Sequence, residues 1–321
     1  GDQTGSAACA ANAGFTGADG EAAVACPVET FKADVGSAAC KACPAYTTTG
    51  DQQGSSVHTA CKAQAGFTGA DGEAAVACLV DTFKADVGSA ACKACPAYTT
   101  TGDQQGSSVH TACKAQAGFT GADGEAAVAC LVDTFKADVG FVACKACSAD
   151  TTTGDQKGSS VNTACKAQAG FAGADGAAAA ACPMETFKAD LGSAACEACP
   201  SDTTTGDQTG SAACAANAGF TGAGGEAAVA CLVDTFKADI GSAACKACPT
   251  KTGTGNTASA GIAACKAQAG YKGADGEAAV ARPMDTFKAG IGSAACEACP
   301  ADTTTGDQKG SIVSTDCVAV P

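Results

Sequence analysis

The sequence predicts a small, disulfide-rich tandem-repeat fold, mainly β or irregular with little helix, in which repeats of about 52 residues form an elongated rod. Three observations support this prediction. The 321 residues include 24 Cys but only 2 His, one sequence pattern returns six times, and large apolar side chains are scarce.

The chain is too poor in large side chains to fold around an ordinary core. Its 46% hydrophobic content comes mainly from Ala and Cys, and its 12 Phe fall almost two to a repeat. Two aromatics per repeat bury too little area to offset the entropy of ordering the backbone. Disulfides are the available constraint, and so many cysteines indicate an oxidising extracellular or cell-surface location.

The repeat is defined by its cysteines. The first Cys of each repeat stands at 9, 61, 113, 165, 214, 265 and 317, and within a repeat the spacing is C-x16-C-x13-C-x2-C. A further 17 residues precede the next repeat, or 14 after Cys199 and 16 after Cys248. Every length change falls in this last segment, which contains TTTGDQ, so we expect it to be a surface loop.

The cysteine period sets the predicted domain boundaries. Residues 1–9 end a preceding repeat, six repeats cover 10–61, 62–113, 114–165, 166–214, 215–265 and 266–317, and 318–321 form a tail. Residues 1–18 recur at 206–223, so the chain starts inside a repeat and we expect a mature or excised chain. Residues 51–88 and 103–140 are identical.

Short strands and turns are the predicted secondary structure. The alternation in AAVACLVDTFKA is suited to a hairpin, whereas GADGE, ADVGS and TTTGDQ carry the Gly and Asp that turns require. Gly and Pro interrupt the Ala-rich segments before a helix can form.

Charge and motif content argue against several functions. A net charge of −14 without a basic stripe gives no surface for nucleic acid or an anionic membrane, and no apolar run is long enough to span a bilayer. No catalytic triad, phosphate loop or facing carboxylate pair is readable, and repeats this small cannot enclose a pocket. We expect no enzyme activity and no cofactor.

The CKAC and CEAC motifs have three interpretations. A redox site of the thioredoxin type occurs once, at a helix start, and zinc needs four ligands brought together. Six copies in a turn-rich repeat fit neither interpretation, which favours structural disulfides.

Metal ligands are also weakly supported. His58 and His110 occupy equivalent loop positions, where the next repeat has Asn162, and are expected to be solvated. The pairs Asp19/Glu21, Asp71/Glu73, Asp123/Glu125 and Asp275/Glu277 supply too few oxygens for calcium, so we interpret them as turn residues.

The threonine runs are the most suggestive polar feature, and two interpretations stay open. Clustered Thr beside Pro is typical of O-glycosylated surfaces, and it also suits hydrogen-bonding turns. No N-glycosylation motif is present. The candidate O-glycosylation residues are Thr47, Thr48, Thr49, Thr99, Thr100, Thr101, Thr151, Thr152, Thr153, Thr203, Thr204, Thr205, Thr303, Thr304 and Thr305.

The segments GFTGADGEAAVAC, DTFKADVG and GSAACKACP resemble the ephrin-receptor-like cysteine-rich repeat, a relative of tumour necrosis factor receptor modules found in long secreted and surface proteins of algae and other protists. The resemblance covers nearly the whole chain. The family typically has six Cys per repeat, whereas here Ala stands at two of those places in all six repeats, for example at Ala63 and Ala75. This double loss is expected if the two missing cysteines form one disulfide.

The resemblance implies how the remaining cysteines pair. Short bridges are expected at Cys26–Cys40, Cys78–Cys92, Cys130–Cys144, Cys182–Cys196 and Cys231–Cys245. Bridges to the first Cys of the next repeat are expected at Cys43–Cys61, Cys95–Cys113, Cys147–Cys165, Cys199–Cys214, Cys248–Cys265 and Cys299–Cys317. Each closes a loop that contributes about 3 kcal/mol in the chain-entropy model.

Two cysteines are left over. Cys9 has no upstream CxxC partner, and Cys296 has Arg282 where every other repeat has Cys. We expect each to bond outside its own repeat, which joins chains head to tail.

Two functions follow from different classes. The first is a non-catalytic structural protein that assembles with itself into a fibre, sheath, wall or flagellar hair, with glycans as further partners. The second is a ligand-binding or adhesion segment of a receptor-like ectodomain. Nearly identical repeats offer every partner the same face, which favours self-assembly.

Overall fold

The computed structural model describes residues 9–320 and contains short strands, turns and five turns of 3-10 helix. The expected end of a preceding repeat lies outside the described residues except for Cys9, as does Pro321 of the expected tail. No helix in residues 9–320 is long and apolar enough to cross a membrane. The prediction of a disulfide-rich β-repeat fold with little helix is confirmed.

The chain divides into two compact units. Among the described residues, the first contains 9–147 and Thr152–Cys165, and the second contains Ser148–Thr151 and 166–320. Three of the six sequence repeats therefore fall essentially in each unit, and the same local structure recurs in both.

The first hairpin that lies wholly within a repeat is antiparallel, has two strands and starts at the first aromatic residue of the repeat. In the second repeat Phe67 pairs with Ala77 and Thr68 with Val76. The first hairpins are Phe15–Thr16 with Val24–Ala25, Phe67–Thr68 with Val76–Ala77, Phe119–Thr120 with Val128–Ala129, Phe171–Ala172 with Ala180–Ala181, Phe220–Thr221 with Val229–Ala230 and Tyr271–Lys272 with Val280–Ala281.

A second hairpin joins the TFKA segment to the CxxC segment. The second hairpins are Thr30–Phe31 with Lys41–Ala42, Thr82–Phe83 with Lys93–Ala94, Thr134–Phe135 with Lys145–Ala146, Thr186–Phe187 with Glu197–Ala198, Thr235–Phe236 with Lys246–Ala247 and Thr286–Phe287 with Glu297–Ala298. The hairpin expected within AAVACLVDTFKA is wrong. The segment does contain two strands, but each of them pairs with a strand outside the segment and not with the other.

A third hairpin crosses from one repeat to the next. These hairpins are Thr47–Thr48 with Lys62–Ala63, Thr99–Thr100 with Lys114–Ala115, Thr203–Thr204 with Ala215–Ala216, Thr252–Gly253 with Lys266–Ala267 and Thr303–Thr304 with Val318–Ala319. Strands Thr151–Thr152 and Lys166–Ala167 occupy the corresponding sequence positions.

A short 3-10 turn before the next repeat accounts for the larger of the two length changes, whereas the one-residue change in the fifth repeat lies before its turn. These turns are His58–Ala60, His110–Ala112, Asn162–Ala164, Ile262–Ala264 and Ser314–Asp316. The fourth repeat, which is three residues shorter in this segment, has no such turn among its described residues. The surface-loop prediction holds for the turn, but it is wrong for the first and third threonines of most runs, which are buried.

Glycine permits the close contact between each repeat and its following loop. Gly66 has φ +85°, and a Cβ built there would lie 2.3 Å from the carbonyl oxygen of Gly106. The Gly106 amide donates to the carbonyl of Cys78 at 2.8 Å. Any side chain at position 66 would push this loop away from the repeat.

The core consists of sulfur and small side chains. The buried hydrophobic residues within 9–320 are Cys, Ala and a single aromatic, Phe236. Because Cys and Ala bury little apolar area, the covalent bridges replace the usual hydrophobic core.

Candidate functional site

Eleven disulfides form the framework. The structure joins the same eleven cysteine pairs that the resemblance implies, with Cα–Cα distances of 5.6 or 5.7 Å. In the bridge from Cys78 to Cys92 the first cysteine is buried and the second is half-buried. The bridge from Cys95 to Cys113 closes the segment that leads into the next repeat, so the CxxC motif serves two different bridges in each of the first five repeats.

Two described cysteines have no disulfide partner, and one of them lies in the sixth repeat, which lacks the short bridge. Cys9 is exposed and Cys296 is half-buried. In the other five repeats the cysteine equivalent to Cys296 is bridged to a second cysteine. Arg282 occupies the position of that second cysteine, and its side chain is fully buried. All three guanidinium nitrogens are buried without a hydrogen-bond partner. A charged group in this state destabilises the sixth repeat.

The threonine run forms a set of hydrogen bonds with a carboxylate that we call the threonine clasp. In the second repeat the Asp81 carboxylate accepts from the Thr100 hydroxyl at 2.6 Å and from the Thr101 amide at 3.1 Å. The Thr101 hydroxyl accepts from the Asp81 amide at 2.8 Å. Asp81 has φ +58°, a left-handed conformation that Asp tolerates better than most residues.

The same clasp recurs in other repeats. The middle threonine donates to a carboxylate in the pairs Thr48–Glu29, Thr100–Asp81, Thr152–Asp133, Thr204–Glu185 and Thr304–Asp285. The first threonine of four runs and the third of four runs are buried. The hydroxyls of all three threonines are hydrogen-bonded in the second repeat, which favours the hydrogen-bonding interpretation for the whole run.

A buried lysine in every repeat was missed by the sequence reasoning. The Lys84 side chain is 3% exposed, and its ammonium donates to the carbonyl oxygens of Phe67 at 2.8 Å and Gly88 at 2.5 Å. The carbonyls of Ala63 and Gln64 accept at 3.4 Å. The equivalent buried lysines are Lys32, Lys136, Lys188, Lys237 and Lys288.

This carbonyl cage joins three segments of one repeat. Its oxygens come from the start of the repeat, the first hairpin and the turn after Lys84. Burial lowers the pKa of Lys84 below its ordinary value, and the charges of Asp86 and Asp71 partly offset that effect. The signal was in the sequence, because Lys follows TF in all six repeats, but Lys is normally a surface residue.

Aromatic stacking occurs where one repeat meets the next in the first unit. The rings of Tyr46 and Phe67 stack with centroids 4.4 Å apart, and those of Tyr98 and Phe119 stack at 4.3 Å. In the second unit the ammonium of Lys251 lies 5.3 Å from the ring centre of Tyr271, which is the equivalent pair.

The candidate metal ligands are not brought together. No group of three or more His, Cys, Asp or Glu within residues 9–320 could hold a metal ion. His58 is exposed, and its ring lies against Gly72 and 6.4 Å from that of Phe31. Asp71 lies in a turn closed by the Glu73 amide and the Ala70 carbonyl, although one carboxylate oxygen is buried without a partner.

Comparison of the sequence with family models identifies the family of the chain. The model described as "Tyrosine-protein kinase ephrin type A/B receptor-like" matches residues 16–61, 68–113, 176–215 and 220–265, which together make up more than half of the chain. The chain belongs to this family. No curated protein matches it significantly.

Ephrin-receptor-like repeats are non-catalytic modules, and their matched segments here contain complete bridge pairs. A tandem array of such modules is an architecture of extracellular structural or ligand-binding segments. The many disulfides agree with an extracellular location.

Proposed function

We propose that this chain is a non-catalytic structural protein of the extracellular space whose repeats assemble with copies of the same chain into a filament. The observation that carries the proposal is the recurrence of one framework, with the same bridges, clasp and lysine cage in successive repeats. Equivalent surfaces repeated along a chain favour equivalent contacts with another copy.

A head-to-tail bond is part of the proposal. Cys9 occupies the position of Cys61, whose partner is the second cysteine of the preceding CxxC motif. Cys9 is exposed, so a CxxC cysteine from a preceding repeat, in this or another chain, is its natural partner. Cys296 is the weaker candidate because it is half-buried.

Electron microscopy of the purified chain tests the assembly directly. We expect filaments, together with multimers on denaturing gels that collapse to one band when thiol is added. A Cys9→Ser variant should lose the thiol-sensitive multimers, with Cys296→Ser as the matched comparison. Monodisperse monomers in native solution at high concentration would contradict the filament.

O-glycosylation is a separable part of the proposal, and a sugar on a middle threonine would replace the hydroxyl proton that this residue donates to the carboxylate of the clasp. Thr48, Thr100 and Thr204 are half-buried, whereas the threonine before each of them is buried. Sugar would raise the intact mass above 30.5 kDa by hexose or pentose steps that chemical deglycosylation removes. An unmodified intact mass would remove this part and leave assembly unaffected.

The alternative function is a ligand-binding or adhesion segment of a receptor-like ectodomain, which the description of the matching family favours. It predicts a stable monomer that binds one foreign partner at a defined stoichiometry. Analytical ultracentrifugation of the chain alone separates the two functions.

A further inference from the structure

The rings of Tyr46 and Tyr98 are exposed although each is fixed by the repeat that follows it. The first ring stacks on Phe67 and the second on Phe119, with interplanar angles of 8° and 7°. Each tyrosine is nevertheless 56% exposed. A ring that is covered on one face and open elsewhere presents a flat, electron-rich surface to solvent in a fixed orientation.

The backbone at both tyrosines is unusual for so large a side chain. Tyr46 has φ +58° and Tyr98 has φ +59°, in the left-handed region where bulky residues are rare. Three other repeats have Asp at this position, which adopts the conformation at lower cost: Asp150, Asp202 and Asp302. A large side chain held at a conformational cost is a candidate for a function of its own.

The threonine clasp places one carboxylate near each of these rings. The Asp81 carboxylate accepts from the hydroxyl of Thr100, which stands two residues after Tyr98. Glu29 accepts from Thr48 in the same way near the other tyrosine. Two residues span at most about 7 Å, so the clasp carboxylate belongs to the surroundings of the ring.

A second carboxylate comes from the following repeat. The Ala127 amide donates to the carbonyl of Ala97, the residue before the second tyrosine, at 3.0 Å. Glu125, which is exposed, stands two residues before Ala127. Exposed Lys114 pairs with Thr100 in the third hairpin, so these contacts bring two carboxylates and one ammonium to the ring. The balance is negative, as in the whole chain at −14, and it attracts a cation.

The fifth repeat shows which chemistry suits an aromatic ring at this boundary. Lys251 takes the position of Tyr98 there, and its ammonium lies 5.3 Å from the ring centre of Tyr271. A cation within about 6 Å of a ring centre is attracted by the electron-rich face. Where one repeat meets the next, the face of an aromatic ring therefore takes an ammonium ion as well as a second ring.

We infer that the exposed faces of Tyr46 and Tyr98 bind cationic side chains of a basic protein partner. Arginine suits this site best, because its planar, weakly hydrated guanidinium stacks on an aromatic face while its N–H groups donate to a carboxylate such as that of Glu125. The inference goes beyond the proposed function, since self-assembly requires no basic partner. It assigns the acidic first unit a ligand of stated chemistry.

Replacement of both tyrosines by Asp separates the effect of the ring from the effect of charge. Tyr46→Asp with Tyr98→Asp removes two rings and adds two negative charges. Attraction by charge alone would make a cationic peptide bind this variant more tightly, whereas loss of the cation–π contacts makes it bind more weakly. The repeat accommodates Asp at this position, because Asp150 and Asp202 occupy it with φ +57° and +59°.

Fluorescence anisotropy of a labelled hexa-arginine peptide, titrated with the full-length chain at low salt, measures the binding. We expect the double Asp variant to raise the Kd about tenfold, which is about 1.4 kcal/mol. Val57→Asp with Val109→Asp adds the same charges at positions that are 50% exposed, and as the matched control it should lower the Kd or leave it unchanged. Intact mass under non-reducing conditions checks that 22 cysteines remain bridged in each variant.

Tyr46→Phe with Tyr98→Phe keeps both rings and should change the Kd by less than about threefold. A double Asp variant that binds the peptide as tightly as the wild type, or more tightly, would overturn the inference. A wild-type chain that fails to bind the peptide but binds the neutral oligosaccharide cellohexaose would also overturn it, in favour of a sugar on the same rings. A monomeric chain whose peptide binding depends on the rings would support this inference and contradict the filament.

Discussion

The Asp81 carboxylate holds the Thr100 hydroxyl at 2.6 Å across 19 residues of sequence. Asp81 lies in the turn before the second hairpin, and Thr100 lies in the strand that leads to the next repeat. One carboxylate therefore connects the body of a repeat to the segment that joins it to its neighbour.

Asp81→Ala should weaken this connection by about 1–3 kcal/mol, because it removes the acceptor for two donors and places Ala in a left-handed conformation. Hydrogen exchange at the Thr101 and Cys95 amides measures the local opening energy. Asp103→Ala makes the same charge change at an exposed residue and is the control. Equal losses of protection in both variants would contradict the clasp.

Tyr98 should respond differently to two substitutions. Tyr98→Ala loses the stack with Phe119, worth about 0.5–1.5 kcal/mol, and stays in the left-handed region at φ +59°. Tyr98→Asp also loses the stack, but Asp tolerates that conformation better and occupies the position in the third repeat. Exchange of the Gln116 amide, which donates to the Tyr98 carbonyl, should therefore be faster in the Ala variant. The reverse order would show that the backbone conformation is not what limits this position.

Replacement of Arg282 should raise the stability of the chain. Arg282→Ala takes away a buried, unpaired guanidinium, and Arg282→Cys should also form a twelfth bridge, with Cys296, worth about 3 kcal/mol. Intact mass and maleimide labelling report the bridge, since only Cys9 would remain reactive among the described cysteines. A less stable Arg282→Ala variant would show that the guanidinium has a favourable partner.

Lys84→Met should destabilise the second repeat by about 2 kcal/mol, because the carbonyl oxygens of Phe67 and Gly88 lose the ammonium as a donor. Lys93→Met changes the charge equally at an exposed position of the same repeat. Hydrogen exchange at the Gly88 amide, which donates to the Ala63 carbonyl, separates the two. Indistinguishable exchange would mean that the cage contributes no stability.

The contribution of Lys84 should also depend on pH. Burial lowers its pKa in the folded chain, so the unfolded chain binds more protons between that pKa and the ordinary value of 10.5. The stability of the wild type relative to Lys84→Met should therefore rise with pH through this interval. Measurement after alkylation of the free thiols excludes disulfide exchange, and a fall over the same interval would mean that the carbonyl cage raises the pKa instead.

The sequence predicted the repeat and its covalent framework but not its hydrogen-bond partners. Cysteine spacing is read directly, and the resemblance supplied a pairing that the structure also has. The hairpins were assigned incorrectly because Val76 and Thr82 are close in sequence, and strand pairing depends on which segment the disulfides bring alongside. Local alternation carries no information about that choice.

Lys84 and Thr101 show a second limit. Both residue types are normally exposed, and their burial here depends on main-chain carbonyls and a carboxylate that arrive from distant parts of the repeat. Composition predicted correctly that an ordinary core is absent. It could not show that an ammonium ion and hydroxyl groups lie in the interior beside the disulfides.

Because a bridge joins the CxxC motif to the first cysteine of the next repeat, whole repeats can be gained or lost without disturbing the pairing of the others. Each repeat supplies one cysteine to a bridge with the next repeat and one cysteine to a bridge with the preceding repeat, and Cys95–Cys113 is an example of such a bridge. Duplication or loss of one whole period between equivalent positions therefore leaves no interior cysteine without a partner. Residues 51–88 and 103–140 are identical, as a recent duplication of one period would leave them. The number of repeats can thus be altered by recombination without a new folding problem, and the length of the protein becomes a property that selection can adjust in whole steps.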